Sequence, residues 1–80
     1  MQLKILAFGI AKDILGAREL SIEIGEHSNV GSLKDYLVKN HPDFARLKSL
    51  ALAVNQEYAT DDKILLPHDE VVIIPPVSGG

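Results

Sequence analysis

Leu3, Ile5 and Ala7 alternate with Lys4, Leu6 and Phe8 along the first segment. Period two over Gln2–Phe8 predicts a β-strand that ends at Gly9, and Leu6 and Phe8 make its second face apolar as well. Ile10–Leu15 predicts a short helix with Gly16 as its C-terminal stop. Glu19–Ile24 alternates most cleanly: Leu20, Ile22 and Ile24 lie on one side and Glu19, Ser21 and Glu23 on the other. One dry side and one wet side suit an antiparallel edge strand. Gly25-Glu26-His27-Ser28 reads as a turn, after which Asn29 can cap a helix over Val30–Asn40. Val30, Leu33 and Leu37, with Tyr36 or Val38, form its inward stripe, and Pro42 biases His41 out of helical angles. Phe44 and Leu47 suggest one loose helical turn. Leu50–Val54 reads as a strand, Asn55-Gln56 as a turn and Glu57–Ala59 as a short return strand. Asp61–Asp69 is a polar connection pinned by Leu65, Leu66 and Pro67. Glu70–Ile74 is the last strand, apolar on both faces.

The order predicts an α+β fold, a mixed sheet with one main helix packed on one face. The first and last strands, being the most apolar, belong side by side at the sheet centre. One helix covers one face, against Leu3, Ile5, Ala7, Val71 and Ile73. Leu6, Phe8, Val72 and Ile74 then point to a face with no second layer, and Tyr58 can join them. A contiguous apolar patch on a small domain marks a protein interface, unless the short helix folds over it or the strand parity is slipped by one. The chain divides into a domain over 1–74 and an extended functional tail over 75–80.

Composition narrows the functions. The 80 residues carry 8 Lys+Arg against 11 Asp+Glu, a net charge of −3. Nucleic-acid binding needs a basic face to replace phosphate counterions, so none is expected. Anchoring to an anionic membrane is disfavoured for the same reason, and no apolar run nears the ~18 residues of a span. There is no cysteine, hence no disulfide, thiolate metal site or thiol nucleophile. No leader is read in Met1-Gln2-Leu3-Lys4, and a cytoplasmic location is expected.

Pro75 and Pro76 lack the N–H that a ladder needs, so pairing ends there, and consecutive prolines favour a stiff polyproline segment. Val77, Ser78, Gly79 and Gly80 follow; glycine has no Cβ to meet a tunnel wall. A stiff base, a thin tip and a terminal carboxylate suit insertion into another protein's active site. With a pKa of ~3.3–3.7, that carboxylate is ionised and inert as an acyl donor at neutral pH. Chemistry there requires activation, most simply adenylation from ATP, and no P-loop is present to bind the nucleotide here. An activated acyl group can accept an amine, giving a conjugate, or sulfur, giving a thiocarboxylate. Without cysteine, any carried sulfur resides on the Gly80 carbonyl carbon.

The ending Ile73-Ile74-Pro75-Pro76-Val77-Ser78-Gly79-Gly80, preceded by Asp69-Glu70-Val71, resembles the small subunits of molybdopterin synthase, the MoaD family of ubiquitin-like β-grasp sulfur carriers. Val54-Asn55-Gln56-Glu57-Tyr58, the opening Lys4-Ile5-Leu6-Ala7-Phe8-Gly9, and the Val30–Asn40 helix followed by His41-Pro42 also match. The one departure is His68, where that family usually has Gly before the Asp-Glu pair; the position is a turn. The resemblance implies a ubiquitin-like β-grasp fold. It implies that an E1-like adenylating enzyme, using ATP, activates Gly80 for conversion to a thiocarboxylate. It implies a heterotetramer of two small and two large subunits, in which the tail enters the large subunit. There sulfur passes to cyclic pyranopterin monophosphate to form the molybdopterin dithiolene. Phe8, Tyr58 and Ile74 match family positions that contact the large subunit and the activating enzyme. The catalytic groups belong to the large subunit, so this chain is a non-catalytic sulfur donor that binds no cofactor itself.

Other constellations carry less. His27, His41 and His68 lack metal-ligand spacing, so no metal is expected. Asp61-Asp62 and Asp69-Glu70 lie in turns, where solvated charge is the default. The serines show no nucleophile elbow. The competing functions are a carrier for another pathway (thiamine or a thio-amino acid), a ubiquitin-like modifier that forms isopeptide bonds, and an adaptor with an inert tail. The Pro-Pro-Val-Ser stretch speaks against the first.

Overall fold

A computed structural model describes residues 1–47 and 49–76. Its elements are β1 (Gln2–Ala7), α1 (Gly9–Leu15), β2 (Glu19–Glu23), α2 (Val30–Asn40), a 3-10 turn (Pro42–Arg46), β3 (Ala51–Val54), β4 (Glu57–Tyr58) and β5 (Glu70–Ile74). The strands form one mixed sheet in the order β2-β1-β5-β3-β4. β1 and β5 are parallel, and the other pairs are antiparallel. The two strands with apolar residues on both sides thus lie next to each other, flanked on both outer edges. A parallel pair needs a crossover, and α2 lies within it.

The paired positions fix two faces. Ile22 opposes Leu3; Leu20, Ile5, Val71 and Val54 form one row; Ala7, Ile73 and Leu52 form another. These side chains meet Val30, Leu33 and Leu37 of α2, with Phe44 and Leu65, in a single buried cluster. Each fully buried aliphatic or aromatic residue of that cluster contributes ~1.5–3 kcal/mol relative to exposure.

Asn29 starts α2 because every early N–H finds a partner. Its side-chain Oδ1 accepts from the Ser32 N–H at 2.8 Å. The Val30 and Gly31 amides donate to the carbonyls of Lys63 and Asp61, each at 2.9 Å, so the 61–65 connection caps the helix as well. Lys34 Nζ reaches Asp61 Oδ1 at 2.7 Å across the same junction. A Cβ on Gly31 would stand 3.3 Å from the Asp61 Cβ, a tight contact that the bare glycine avoids where the connection passes. At the other end the His41 amide closes the last turn on Leu37, and Pro42 follows.

Several local expectations differ from the structure. Phe8 is not in β1; it is extended (φ −135°, ψ 160°) and precedes α1. Gly9 begins α1, making the corner with φ 57°. Leu66 is 58% exposed and Pro67 is exposed too, so Leu65 is the only one of the three expected apolar pins that is buried. β2 and β3 are each one residue shorter than the alternation predicts, and β4 ends at Tyr58. The α1 stop at Gly16 stands, with φ 79° and its N–H donated to the Lys12 carbonyl.

Candidate docking face and tail base

The face away from α2 follows from the same register. Leu6 opposes Val72 and Glu19, Val72 opposes Ala53, and Ala53 opposes Tyr58. One continuous row therefore runs Glu19, Leu6, Val72, Ala53, Tyr58 across all five strands. The next row toward the C-terminal end of β5 pairs Ile74 with Ala51. Phe8, extended after Ala7, carries the alternation one step beyond the end of β1. The row toward the other end of the face is polar: Ser21, Lys4 and Glu70.

No element of the described residues covers this face. α1 turns the other way and buries Ala11 in the core cluster, with Ile14 and Leu15 packed against that cluster. Phe8 is 51% and Tyr58 75% exposed, whereas Leu6, Val72 and Ile74 are half-buried by their strand neighbours. The strand parity read from the alternation is the parity observed. The apolar half of the face lies at the end of the sheet where β5 runs out. Pro75 and Pro76 leave β5 there without strand pairing, both half-buried. Val77, Ser78, Gly79 and Gly80 lie outside the described residues.

Phe8, Tyr58 and Ile74 are thus brought to one side of the sheet at the root of the tail. Half-buried Ala51 and buried Ala53 (7% exposed) lie between them on the same face. Their signal was their pairing with Val72 and Ile74, where a small side chain leaves the surface between Tyr58 and β5 shallow. Lys4 and Glu19 form a loose ion pair (3.8 Å) on the margin of this face.

Asp69 was also missed. It is buried, at 8% exposure. Its Oδ1 accepts from Asn55 Nδ2 and its Oδ2 from the Leu66 amide, both at 2.8 Å. Asn55 Oδ1 accepts from the Glu70 amide at 3.0 Å, and the Asn55 amide donates to the Glu70 carbonyl at 2.8 Å. The residue read as solvated turn charge is a structural carboxylate. His27 and His68 are exposed; His41 packs edge-on against Phe44 at 6.2 Å. Among the described residues no cluster of three or more His, Asp or Glu is placed to hold a metal ion. No helix among them is long and apolar enough to cross a membrane.

A mixed sheet in this order, grasping one long helix on one face and bare on the other, defines a ubiquitin-like β-grasp domain. Solved structures agree. SAMP1 from Haloferax volcanii superposes with a TM-score of 0.83 at 25% identity, covering 100% of both chains. A putative molybdopterin converting factor, subunit 1, from Pyrococcus furiosus gives 0.87 at 27% identity over 96% of this chain and 99% of that one. The chain belongs to the ThiS family, whose model matches residues 5–80, and it groups with the molybdopterin synthase sulfur carrier subunits. The subunit of that name from Arabidopsis thaliana is 36% identical over 100% of this chain and 84% of its own length. The one from Chlamydomonas reinhardtii is 36% identical over 100% of both.

Proposed function

We propose that this chain is the sulfur-carrier small subunit of a molybdopterin synthase, working in the cytoplasm, with Gly80 as its reactive end. The carrying observation is spatial: the bare apolar surface and the root of the tail share one end of the sheet. A partner that covers Phe8, Tyr58 and Ile74 therefore receives the segment Pro75-Pro76-Val77-Ser78-Gly79-Gly80 at a set place. The two prolines hold the direction of exit; Val77, Ser78 and Gly79 form the thin part that enters the partner.

The chemistry needs two docking events. In the first, an E1-like enzyme joins the Gly80 carboxylate to the α-phosphate of ATP, releasing pyrophosphate, and sulfide-level sulfur attacks the acyl carbon, expelling AMP and leaving the thiocarboxylate. In the second, the large synthase subunit receives the tail, the thiocarboxylate sulfur bonds to carbon of cyclic pyranopterin monophosphate, and water cleaves the acyl–sulfur bond to return the Gly80 carboxylate. This chain contributes the carrier atom and the docking surface; it binds neither nucleotide nor pterin itself. Full-length alignment with curated sulfur carrier subunits supports this reading, as does the absence of cysteine, which leaves the terminal carbonyl as the place for sulfur.

The modifier reading has a specific basis too: SAMP1, on which this chain superposes, is by name a small archaeal modifier protein. Deleting Gly80 separates binding from transfer. The shortened chain is expected to bind the large subunit with little change and to deliver no sulfur. Loss of binding together with transfer would make the tail an anchor and refute the division of labour. Lysine conjugates on cellular proteins, lost with Gly80, would favour the modifier.

A further inference from the structure

Tyr58 is held by little. β4 is a two-residue edge strand, paired only through Ala53↔Tyr58 and Val54↔Glu57. Its outer edge has no neighbour among the described residues. The turn leading into it carries two non-glycine residues with positive φ, Asn55 at 52° and Gln56 at 73°. Such a turn matches the twist of a hairpin but is disfavoured for side chains other than Gly, Asn and Asp. A ring three-quarters exposed on a short edge strand cannot dock with a defined geometry unless the turn is fixed from elsewhere.

Asn55 supplies that fixing. It contacts both backbone groups of Glu70, the first residue of β5, and donates its side-chain amide to the buried Asp69 carboxylate. Asp69 in turn holds the Leu66 amide. The ring of bonds joins the hairpin tip, the 66–69 turn and the start of the central strand. Every polar atom of the two side chains that the ring uses is paired; Asn55 is exposed, but its partner carboxylate on Asp69 is buried, and a partly desolvated network with all its bonds made favours one arrangement.

We infer that Asn55 and Asp69 form a clamp that positions Tyr58 on the docking face, so that the pair tunes partner affinity without touching the partner. This rests on the docking role proposed above. Neither residue belongs to the apolar surface itself. Ordering the hairpin in the free chain removes a cost otherwise met on association, which is how positioning without contact raises affinity.

The bond pattern permits an exchange test. Asn55→Asp alone sets two carboxylates against each other; Asp69→Asn alone leaves one oxygen for two donors. The double variant N55D/D69N restores all three side-chain bonds with the two groups exchanged. The carboxylate, now at position 55, accepts from the Glu70 amide and from the side-chain amide, now at position 69. The oxygen of that side-chain amide accepts from the Leu66 backbone amide. Affinity for the large subunit encoded in the same genome is measured by calorimetry on each full-length variant, corrected for its folded fraction. Hydrogen exchange of the Ala59 amide, which donates to the Leu52 carbonyl at 3.0 Å just beyond β4, reads the hairpin directly.

N55D is expected to bind about tenfold more weakly, roughly 1.4 kcal/mol, with faster Ala59 exchange, and N55D/D69N to return both to near wild type. If N55D does not fold, D69N takes its place against the same double variant. Single variants that bind as wild type once corrected for folding overturn the clamp. So does a double variant that regains thermal stability but not affinity. If the wild-type chain itself does not bind the large subunit, the proposed function fails first, and the Ala59 exchange still reports whether the clamp orders the hairpin.

Discussion

Ile73 and Ile74 are neighbours of identical chemistry on β5, and the structure places them on opposite faces of the sheet. Ile73 is 1% exposed and faces α2. Ile74 is half-buried and faces the bare side. Truncating a fully buried Ile to Ala costs ~2–5 kcal/mol, transfer and cavity terms together. A chain of 80 residues has about 4–12 kcal/mol of stability in total. Ile73→Ala therefore removes a large fraction of it, and a loss of about 3 kcal/mol lowers Tm by roughly 12–24 °C. Ile74→Ala removes the same methylene groups from a surface already partly wet, which costs roughly 1 kcal/mol of folding. Its main effect falls on association: an interfacial anchor is worth ~2 kcal/mol or more, about a thirtyfold rise in Kd. Circular-dichroism melts of the free variants and calorimetric titration with the large subunit measure the two effects separately. If Ile74→Ala melts as low as Ile73→Ala, or if its Kd is unchanged, the assignment of the bare face to a partner is wrong.

Tyr58→Ala is expected to leave stability within about 0.5 kcal/mol, because the ring is exposed in the free chain, yet to weaken large-subunit binding tenfold or more; a large fall in Tm would contradict this. Asn29→Ala removes the side-chain acceptor for the Ser32 amide and is expected to cost ~1 kcal/mol, visible as a Tm lower by about 4–8 °C, with Kd for the large subunit unchanged. Lys34→Ala breaks the 2.7 Å contact with Asp61, but the partners are 26% and 70% exposed, so the loss is expected below ~1 kcal/mol and to shrink further in high salt. A larger, salt-independent loss would show that the pair carries the helix cap.

The parts of this fold legible in sequence are those set by local periodicity. Glu19, Ser21 and Glu23 alternating with Leu20 and Ile22 can satisfy only a half-buried strand, and Asn29 and Pro42 bracket a helix whose ends leave little choice. The double apolarity of β1 and β5 announced both their central place and the bare face, since Leu6 and Val72 cannot share a face with Ile5 and Val71. Other features depend on partners distant in sequence. Asp69 looked like solvated turn charge because Asn55, the residue that makes its burial tolerable, is 14 positions away. Leu66 looked like a core residue because its neighbour Leu65 is one. Phe8 continued the alternation in sequence, while Gly9, able to take φ 57°, ended the ladder at Ala7 instead. That Phe8, Tyr58 and Ile74, the proposed docking residues, share one face could be gathered from parity; that Ala51 and Ala53 lie between them required the register.

On the proposed function, sulfur is carried on the carbonyl carbon of Gly80. Intact-mass spectrometry of the full chain, isolated from cells that make the molybdenum cofactor, tests it most directly. A species heavier by the exchange of one oxygen for sulfur, located at Gly80 by fragmentation and lost when the activating enzyme is absent, is the expected result. A terminal carboxylate that stays unexchanged in such cells, or cofactor synthesis that survives removal of Gly79 and Gly80, would contradict the account.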